Sequence, residues 1–380
     1  IQVFQKELTL LPHSNEKDID TWVITTIALT DNTMHINKLF EKYAKHQPFS
    51  KAVVCDDESI TYQELDSKAN QFAHYLQSAH QVKSGDIVGI AVATKSINLI
   101  IAVLGILKSG AAYQPLPINL HTASVTLACV VTDNPNTYSS GGIKINEVQT
   151  LTGQDNAKPI PVTEMTGNSI AYLISTSGTT GRPKTIAISH DNLTATFRSW
   201  RDVYQLTAQD RHLQMANVSF DVFTGDWVRA LCSGGTLVLC PKECLLHPQS
   251  LFSLIARNEI TIAEFVPAVL RKLMHYVEEK QKMLSTFRVL ICGSDVWYMD
   301  EYKKLMQLCG PKTRIINSYG LSETTIDATY YEWSEKNQTH LKDNAIVPIG
   351  QAFPYATIKI VTPEGKKAAS GEQGEIYIGG

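Results

Sequence analysis

No part of the 380-residue sequence concentrates positive charge, and its 34 lysines and arginines against 37 aspartates and glutamates leave a formal net charge of −3. Neither nucleic acid nor an anionic membrane is therefore an expected partner. Long apolar runs are missing too. The longest apolar helix candidate, Ile97 to Leu107, is well short of the roughly 20 residues that span a bilayer. The N-terminus lacks the basic, apolar and small-residue order of a secretory signal, so none is expected. The seven cysteines include no CxxC pair, and an odd, scattered set fits a reducing compartment, so a cytoplasmic location is expected. Cys240, Cys244 and His247 come nearest to metal-like spacing, but Cys240 ends an apolar run. A core thiol beside two loop residues is the plainer reading. No internal repeat or low-complexity tract occurs, which argues against a solenoid or a disordered tail.

What remains is an ordinary globular composition, 43% hydrophobic and 19% charged, long enough for two or three sub-domains. Residues 1 to 35 are polar and irregular. From Ile36 the pattern settles into alternating elements. Ala52–Cys55, Ile87–Val92, Ala111–Leu116, Leu213–Met215, Thr236–Cys240, Ile260–Val266, Val289–Cys292 and Arg314–Ile316 read as strands. Helical periodicity runs between many of them, as in Tyr62, Leu65, Ala69, Phe72 and Leu76, in Phe223 to Leu231, and in Val269 to Val277. Such alternation predicts an α/β fold with mostly parallel sheets. After Ile346 short strands separated by Gly and Pro, Ala356 to Val361 and Glu375 to Ile378 among them, predict a small β-rich sub-domain. In open α/β sheets ligands bind beyond the carboxyl ends of the strands. Asp221, Glu264, Gly293–Ser294 and the stretch from Asn317 to Glu323 fall in or just after apolar strands.

One loop stands out. After the apolar run Ile170 to Ile174 comes Ser175-Thr176-Ser177-Gly178-Thr179-Thr180-Gly181-Arg182-Pro183-Lys184. Small residues let the backbone approach a polyphosphate, hydroxyls and main-chain N–H groups donate to its oxygens, and Lys184 adds positive charge. It is not a Walker A loop, since GxxxxGK[ST] is absent. It resembles the phosphate loop of the adenylate-forming enzymes, which include acyl-CoA synthetases, luciferases and the adenylation domains of nonribosomal peptide synthetases. Thr185 stands where that family usually has Gly.

Further landmarks follow in the family's order. ITYQEL (Ile60 to Leu65), LKSGAAYQP (Leu107 to Pro115), Phe220-Asp221, NSYGLSE (Asn317 to Glu323) and GEIYIGG (Gly374 to Gly380) resemble its core motifs, with Leu321-Ser322 in place of the usual Pro-Thr. The stretch from Pro117 to Ile143 matches poorly. The resemblance implies the family's large N-terminal subdomain at residues 36–380, two mostly parallel α/β sheet layers plus the β-rich unit. Residues 1–35 resemble the linker after an upstream condensation domain. The ribose-binding Asp, the hinge and the late lysine of the small C-terminal subdomain belong beyond Gly380, so the fragment by itself is expected to turn over poorly.

The resemblance also assigns roles. ATP would be bound by Thr176, Ser177, Gly178, Thr179, Thr180, Gly181 and Lys184, together with Asn317, Ser318, Tyr319, Gly320 and Ser322. Tyr319 would stack on adenine, Asn317 would bond near its amino edge, and Glu323 would hold Mg²⁺, a hard cation suited to oxygen ligands. Lys184, Thr180 and Glu323 would be the catalytic residues. Taken singly, Tyr319 reads as a core aromatic and Glu323 as a solvent-facing carboxylate at a helix start. A partner carrier domain would supply phosphopantetheine.

Asp221 matches the position that pairs with the α-ammonium of an amino acid, which acyl-CoA synthetases do not need. The competing reading is an N-cap for the following helix. The other pocket positions, carried over singly, are Val222, Gly225, Glu264, Leu290, Cys292, Ser318, Ile326 and Asp327. Gly225 leaves room. Glu264 interrupts an apolar strand, where a carboxylate is costly without a cation, and Asp327 adds a second acid. The set is similar to that of ornithine-activating domains, so L-ornithine is expected, then lysine, then arginine. An internal salt bridge from Glu264 to an Arg or Lys is the alternative. The rival enzyme class is a CoA ligase that activates a fatty or aryl acid.

Overall fold

Apolar strands separated by amphipathic helices assemble into two parallel sheets. The computed structural model describes residues 35–117, 125–134, 142–148, 165–176, 184–334 and 342–380. The chain enters through α1 (Ile36–His46), the antiparallel pair β1 (Lys51–Cys55) and β2 (Glu58–Thr61), and α2 (Tyr62–Ala79). Next come β3 (Ile87–Ala91), α3 (Ile97–Lys108), β4 (Ala112–Pro115), β5 (Cys129–Thr132), β6 (Gly142–Lys144), β7 (Ile170–Thr176) and β8 (Lys184–Ser189). Then α4 (His190–Tyr204), β9 (Arg211–Gln214), α5 (Asp221–Leu231), β10 (Thr236–Leu239), α6 (Lys242–Leu246), α7 (Pro248–Arg257), β11 (Ile262–Phe265), α8 (Pro267–Glu279), β12 (Val289–Gly293), α9 (Met299–Leu308) and β13 (Arg314–Tyr319) alternate. The chain finishes with β14 (Thr329–Glu332), β15 (Gln351–Ala352), β16 (Thr357–Val361) and β17 (Glu375–Gly379).

Six strands pair in the order β6-β5-β3-β4-β7-β8, parallel except for the β7–β8 hairpin, and nine pair as β15-β14-β13-β12-β11-β9-β10-β1-β2 with antiparallel strands at both edges. β16 and β17 form the small antiparallel unit anticipated after Ile346. The α/β class with mostly parallel sheets is as the alternation implied, and the two layers are as the resemblance implied. Among the described residues no helix is long and apolar enough to cross a membrane.

Local sequence explains the elements. A capping box starts α2: Thr61 accepts the Glu64 N–H while the Glu64 carboxylate takes the Thr61 N–H. Helix α3 is apolar all round and buried except at Asn98, the signature of a helix inside the core. Gly105 lets it press against α2, since an added Cβ would lie 2.7 Å from the Phe72 ring and 3.0 Å from the Ala69 carbonyl oxygen. Helix α4 was not apparent from composition because His, Asp, Asn, Thr and Ser are weak helix formers. A Ser189–Asn192 capping box starts it, and Leu193, Phe197, Trp200 and Tyr204 bury one stripe.

The LKSGAAYQP motif proves structural at two points. Lys108 is buried and pairs with Glu41 at 2.7 Å and Asp66 at 2.9 Å, fastening α1 and α2 to α3. Burial alone would raise the Glu41 pKa, but the ion pairs with Lys108 and Lys38 outweigh it and hold the carboxyl below its usual range. Tyr113 shares a 2.6 Å hydrogen bond with Thr224, tying the six-stranded sheet to α5. Removing the ammonium with Lys108→Ala leaves two acids facing each other without a cation. It should cost about 3 kcal/mol, measured by urea unfolding at neutral pH, and Lys108→Arg should recover much of the loss.

Candidate active site

β9, β11, β12 and β13 run parallel, so their carboxyl ends open on one side of the nine-stranded sheet. Helix α5 starts at the same side. Its N-cap is Phe220, which makes no side-chain cap bond, and Asp221 is the first helical residue. The Asp221 carboxylate is not the N-cap that the plainer reading required. It accepts the Ser322 hydroxyl at 2.6 Å, which joins α5 to the turn after β13. Burial raises its pKa, the bonds from Ser322 and the Val222 N–H oppose that, and the Glu323 charge adds to it.

The turn after β13 is tight. A short 3₁₀ helix, Ser322–Thr324, is followed by Thr325 at φ +61° and Ile326 at φ +76°. Two β-branched residues in the left-handed region are strained. The strain brings the Ile326 carbonyl against Gly320, where an added Cβ would stand 1.9 Å from its oxygen. It also turns Ile326 and Asp327 into the interior. Across β12–β13 a Cβ on Gly293 would meet the Ser318 hydroxyl at 2.6 Å, so that glycine allows close approach as well.

The residues assigned to ATP are distributed unevenly. Tyr319, half-buried, closes β13, and Gly320 and Ser322 follow it. Asn317 is buried and its amide is engaged: it accepts from Trp297 Nε1 at 2.9 Å and donates to the Pro348 carbonyl at 2.8 Å. It holds the loop before β15 in place. Thr176 and Lys184 face each other across the β7–β8 hairpin, and Lys184 is exposed. Ser177, Gly178, Thr179, Thr180 and Gly181 lie outside the described residues.

Among the described residues no group of three or more His, Cys, Asp and Glu is placed to hold a metal ion. Mg²⁺ commonly takes only one or two carboxylates and completes its shell with phosphates and water. Glu323, exposed and one residue from Ser322, suits that arrangement only together with a polyphosphate. It lines a cavity of about 120 Å³ shared with Asn192, Ser199, Asp327 and Tyr355.

Deeper in lies a charge cluster. Arg229 of α5 reaches Glu264 Oε2 at 2.5 Å, Asp226 Oδ1 at 2.8 Å and Asp327 Oδ2 at 3.7 Å, and all four side chains are at most 4% exposed. Trp200 of α4 donates its indole N–H to Asp327 at 2.8 Å, and its ring lies 4.6 Å from the guanidinium carbon. Burial and the charge of Glu264 push the carboxyls of Asp226 and Asp327 up to about 7, against the pull of Arg229. Glu264 therefore has its internal salt bridge, and the guanidinium raises no need for an external cation at that carboxylate. The room expected at Gly225 is largely taken: a Cβ there would lie 3.3 Å from both Arg229 Nη1 and the Trp200 ring.

Asp221, Glu264, Ile326 and Asp327 gather around α5 and the β13 turn, with Val222 half-buried against the same core and Ser318 buried at the end of β13. Leu290 and Cys292 do not join them. Glu264 pairs with Ile291 and Ala263 with Leu290, so the residues that share the Glu264 face are Ile291 and Ile316. Leu290 and Cys292 pack on the opposite face in a separate core cluster. The alternation of a strand decides this. Sequence reasoning missed Trp200, Asp226 and Arg229. A buried acid and base three apart in the apolar helix Phe223 to Leu231 was the available signal for the last two.

The tight turn yields a test. Gly320→Ala has no room to relax, because the obstacle is backbone. It should destabilise the chain by roughly 3 kcal/mol or more in urea unfolding, whereas Gly365→Ala, with open space around its Cβ position but a φ of +79°, should cost only about 1 kcal/mol.

The model of the family described as AMP-binding enzyme matches residues 40–380. Tyrocidine synthase 3 of Brevibacillus parabrevis is 38% identical over 374 residues, covering 92% of this chain and 5% of that protein. Gramicidin S synthase 2 of Brevibacillus brevis is 37% identical over 368 residues, covering 92% and 8%. The chain thus spans less than a tenth of the length of these relatives. Among solved structures, NpsA-ThdA, an artificially fused adenylation–PCP di-domain of a nonribosomal peptide synthetase from Klebsiella oxytoca, superposes with a TM-score of 0.80 at 21% identity, covering 92% of this chain and 69% of that one. The matched family, the motif order and the shared fold agree, and the chain belongs to the AMP-binding enzyme family, with peptide synthetases as its relatives.

Proposed function

We propose that this chain activates L-ornithine with ATP, forming the aminoacyl adenylate and pyrophosphate within a nonribosomal peptide synthetase. The class of reaction follows the family and the synthetase relatives. In it a substrate carboxylate displaces pyrophosphate from the α-phosphorus. Both reactants are anions, so the site must hold them in line and offset charge rather than supply an acid–base pair. Lys184, Thr180 and the other phosphate-loop hydroxyls carry that task, Tyr319 supports adenine, and Glu323 holds Mg²⁺, which would neutralise phosphate charge. Asp221 receives the α-ammonium. A carrier domain bearing phosphopantetheine is the next partner, as the fused di-domain neighbour suggests, and a condensation domain of the same cytoplasmic synthetase lies upstream.

The amino acid is read from one observation: three buried carboxylates, Asp226, Glu264 and Asp327, surround a single guanidinium. Glu264 alone makes no case for a cationic substrate, because Arg229 already pairs with it. The surplus acid makes the case. Fully ionised, the cluster carries two negative charges more than it has positive ones, and a terminal ammonium would offset one of them. Lysine, one methylene longer, ranks second, and arginine third. A CoA-ligase-type activation of a fatty acid leaves both Asp221 and the surplus acid without purpose.

ATP–pyrophosphate exchange by the full-length protein over an amino-acid panel should rank ornithine above lysine and lysine above arginine, with Asp327→Ala, which removes the acid farthest from Arg229 and lining the cavity, depressing ornithine use most. Preference for an apolar or acidic amino acid defeats the reading. A second expectation concerns pH. The charged and titratable neighbours of Asp226 and Asp327 are Arg229, Glu264, Lys95 and Tyr204, and the two aspartate carboxyls are pushed up to about 7, far above the ordinary 3.8. Stability that such groups lend below 3.8 is lost as pH rises through about 7, where they ionise without enough cation. A bound ammonium supplies the missing charge. The rise in melting temperature on adding ornithine should therefore be larger at pH 8 than at pH 6, and norvaline should show no such gain.

A further inference from the structure

Arg229 stands outside the nine pocket positions, yet it holds the centre of the cluster. Nη2 binds Glu264 and Asp226. Nη1 makes no hydrogen bond among the described residues, lies 3.7 Å from Asp327, and occupies the side of Gly225 where a Cβ would point. Trp200 covers the guanidinium face, and Asp226, one turn earlier on α5, anchors its edge. The group is clamped from several sides by partners on α4, α5, β11 and the β13 turn. It has no solvent-exposed alternative, since the side chain is 1% exposed.

We propose that Arg229 is a specificity-determining residue, a resident cation that takes one of the cation places in the acid cluster and closes its far end. The pocket then admits a side chain ending in one compact ammonium and rejects a second planar guanidinium. Both ions carry a single positive charge, so the selection is by size and shape: the volume beside Gly225 that a planar guanidinium needs is already filled by Arg229 and Trp200. This rests on the cationic-substrate reading above and adds to it the reason for ornithine over arginine. Asp226 acts through Arg229 as a positioning residue, fixing the fork that presents Nη2 to Glu264.

Exchange assays with the full-length wild type, Arg229→Ala and Arg229→Lys, each with ornithine, lysine, arginine and norvaline, test the assignment. Arg229→Ala should lower kcat/KM for ornithine and raise it for arginine, shifting their ratio about tenfold or more toward arginine. Millimolar guanidinium chloride should restore ornithine use in that variant and leave the wild type unchanged. Arg229→Lys, which keeps the charge and removes the fork, should shift the ratio in the same direction by a smaller factor. If Arg229→Ala does not fold, the lysine variant carries the test. Equal losses on all four amino acids without guanidinium rescue, or an unchanged ornithine-to-arginine ratio in the lysine variant, overturn the proposal. A wild type that prefers norvaline overturns the cationic-substrate reading with it, whereas a wild type that prefers ornithine but shows unchanged ratios overturns the role of Arg229 alone.

Discussion

A carboxylate removed from water is tolerated only beside a cation or as its neutral acid, and the corner where α5 meets β11 and the β13 turn holds three of them around one guanidinium. The packing around that corner follows from it. Helix α4 contributes Trp200 to cover the guanidinium and to donate to Asp327. Gly225 stays bare so that the guanidinium fits. The strained turn at Thr325–Ile326, between β13 and β14, brings Asp327 into the interior. Remove the cation and each of these features loses its reason.

The site is accordingly two regions joined by one hydroxyl. On the rim lie Tyr319, Gly320 and Ser322, half-buried, and Glu323, exposed. Beneath them lies the acid cluster, dry and dense. Asp221 spans the boundary, since its carboxylate belongs to α5 and its best partner, Ser322, belongs to the rim. In the proposed reading, an amino acid at Asp221 would be held by the same segment that approaches the nucleotide, which would bring carboxylate and phosphate together without any group that transfers a proton.

Much of this was legible in the sequence. Alternating apolar strands and helices gave the α/β class, the motifs gave the order of the site, and Glu264 stood out as an acid in an apolar strand. Three things were hidden for physical reasons. Which cation meets Glu264 depends on a contact between residues 35 positions apart, and no local pattern encodes it. Which strand residues face the pocket depends on register, and a shift by one residue separates Leu290 and Cys292 from Ile291. Helix α4, and Trp200 with it, was masked by residues whose intrinsic preference is for turns. Asn317 shows a further limit: a motif residue assigned to the ligand spends its side chain on Trp297 and the Pro348 carbonyl, holding the rim from behind.

The burial of Lys108 between Glu41 and Asp66 has a consequence for reading ancestry. A lysine that fastens three helices to one another is explained by folding alone. LKSG would persist in a descendant whose phosphate loop had decayed and which had become a silent scaffold. Its presence certifies the architecture of a lineage, and only the rim and the acid corner can testify to a living enzyme.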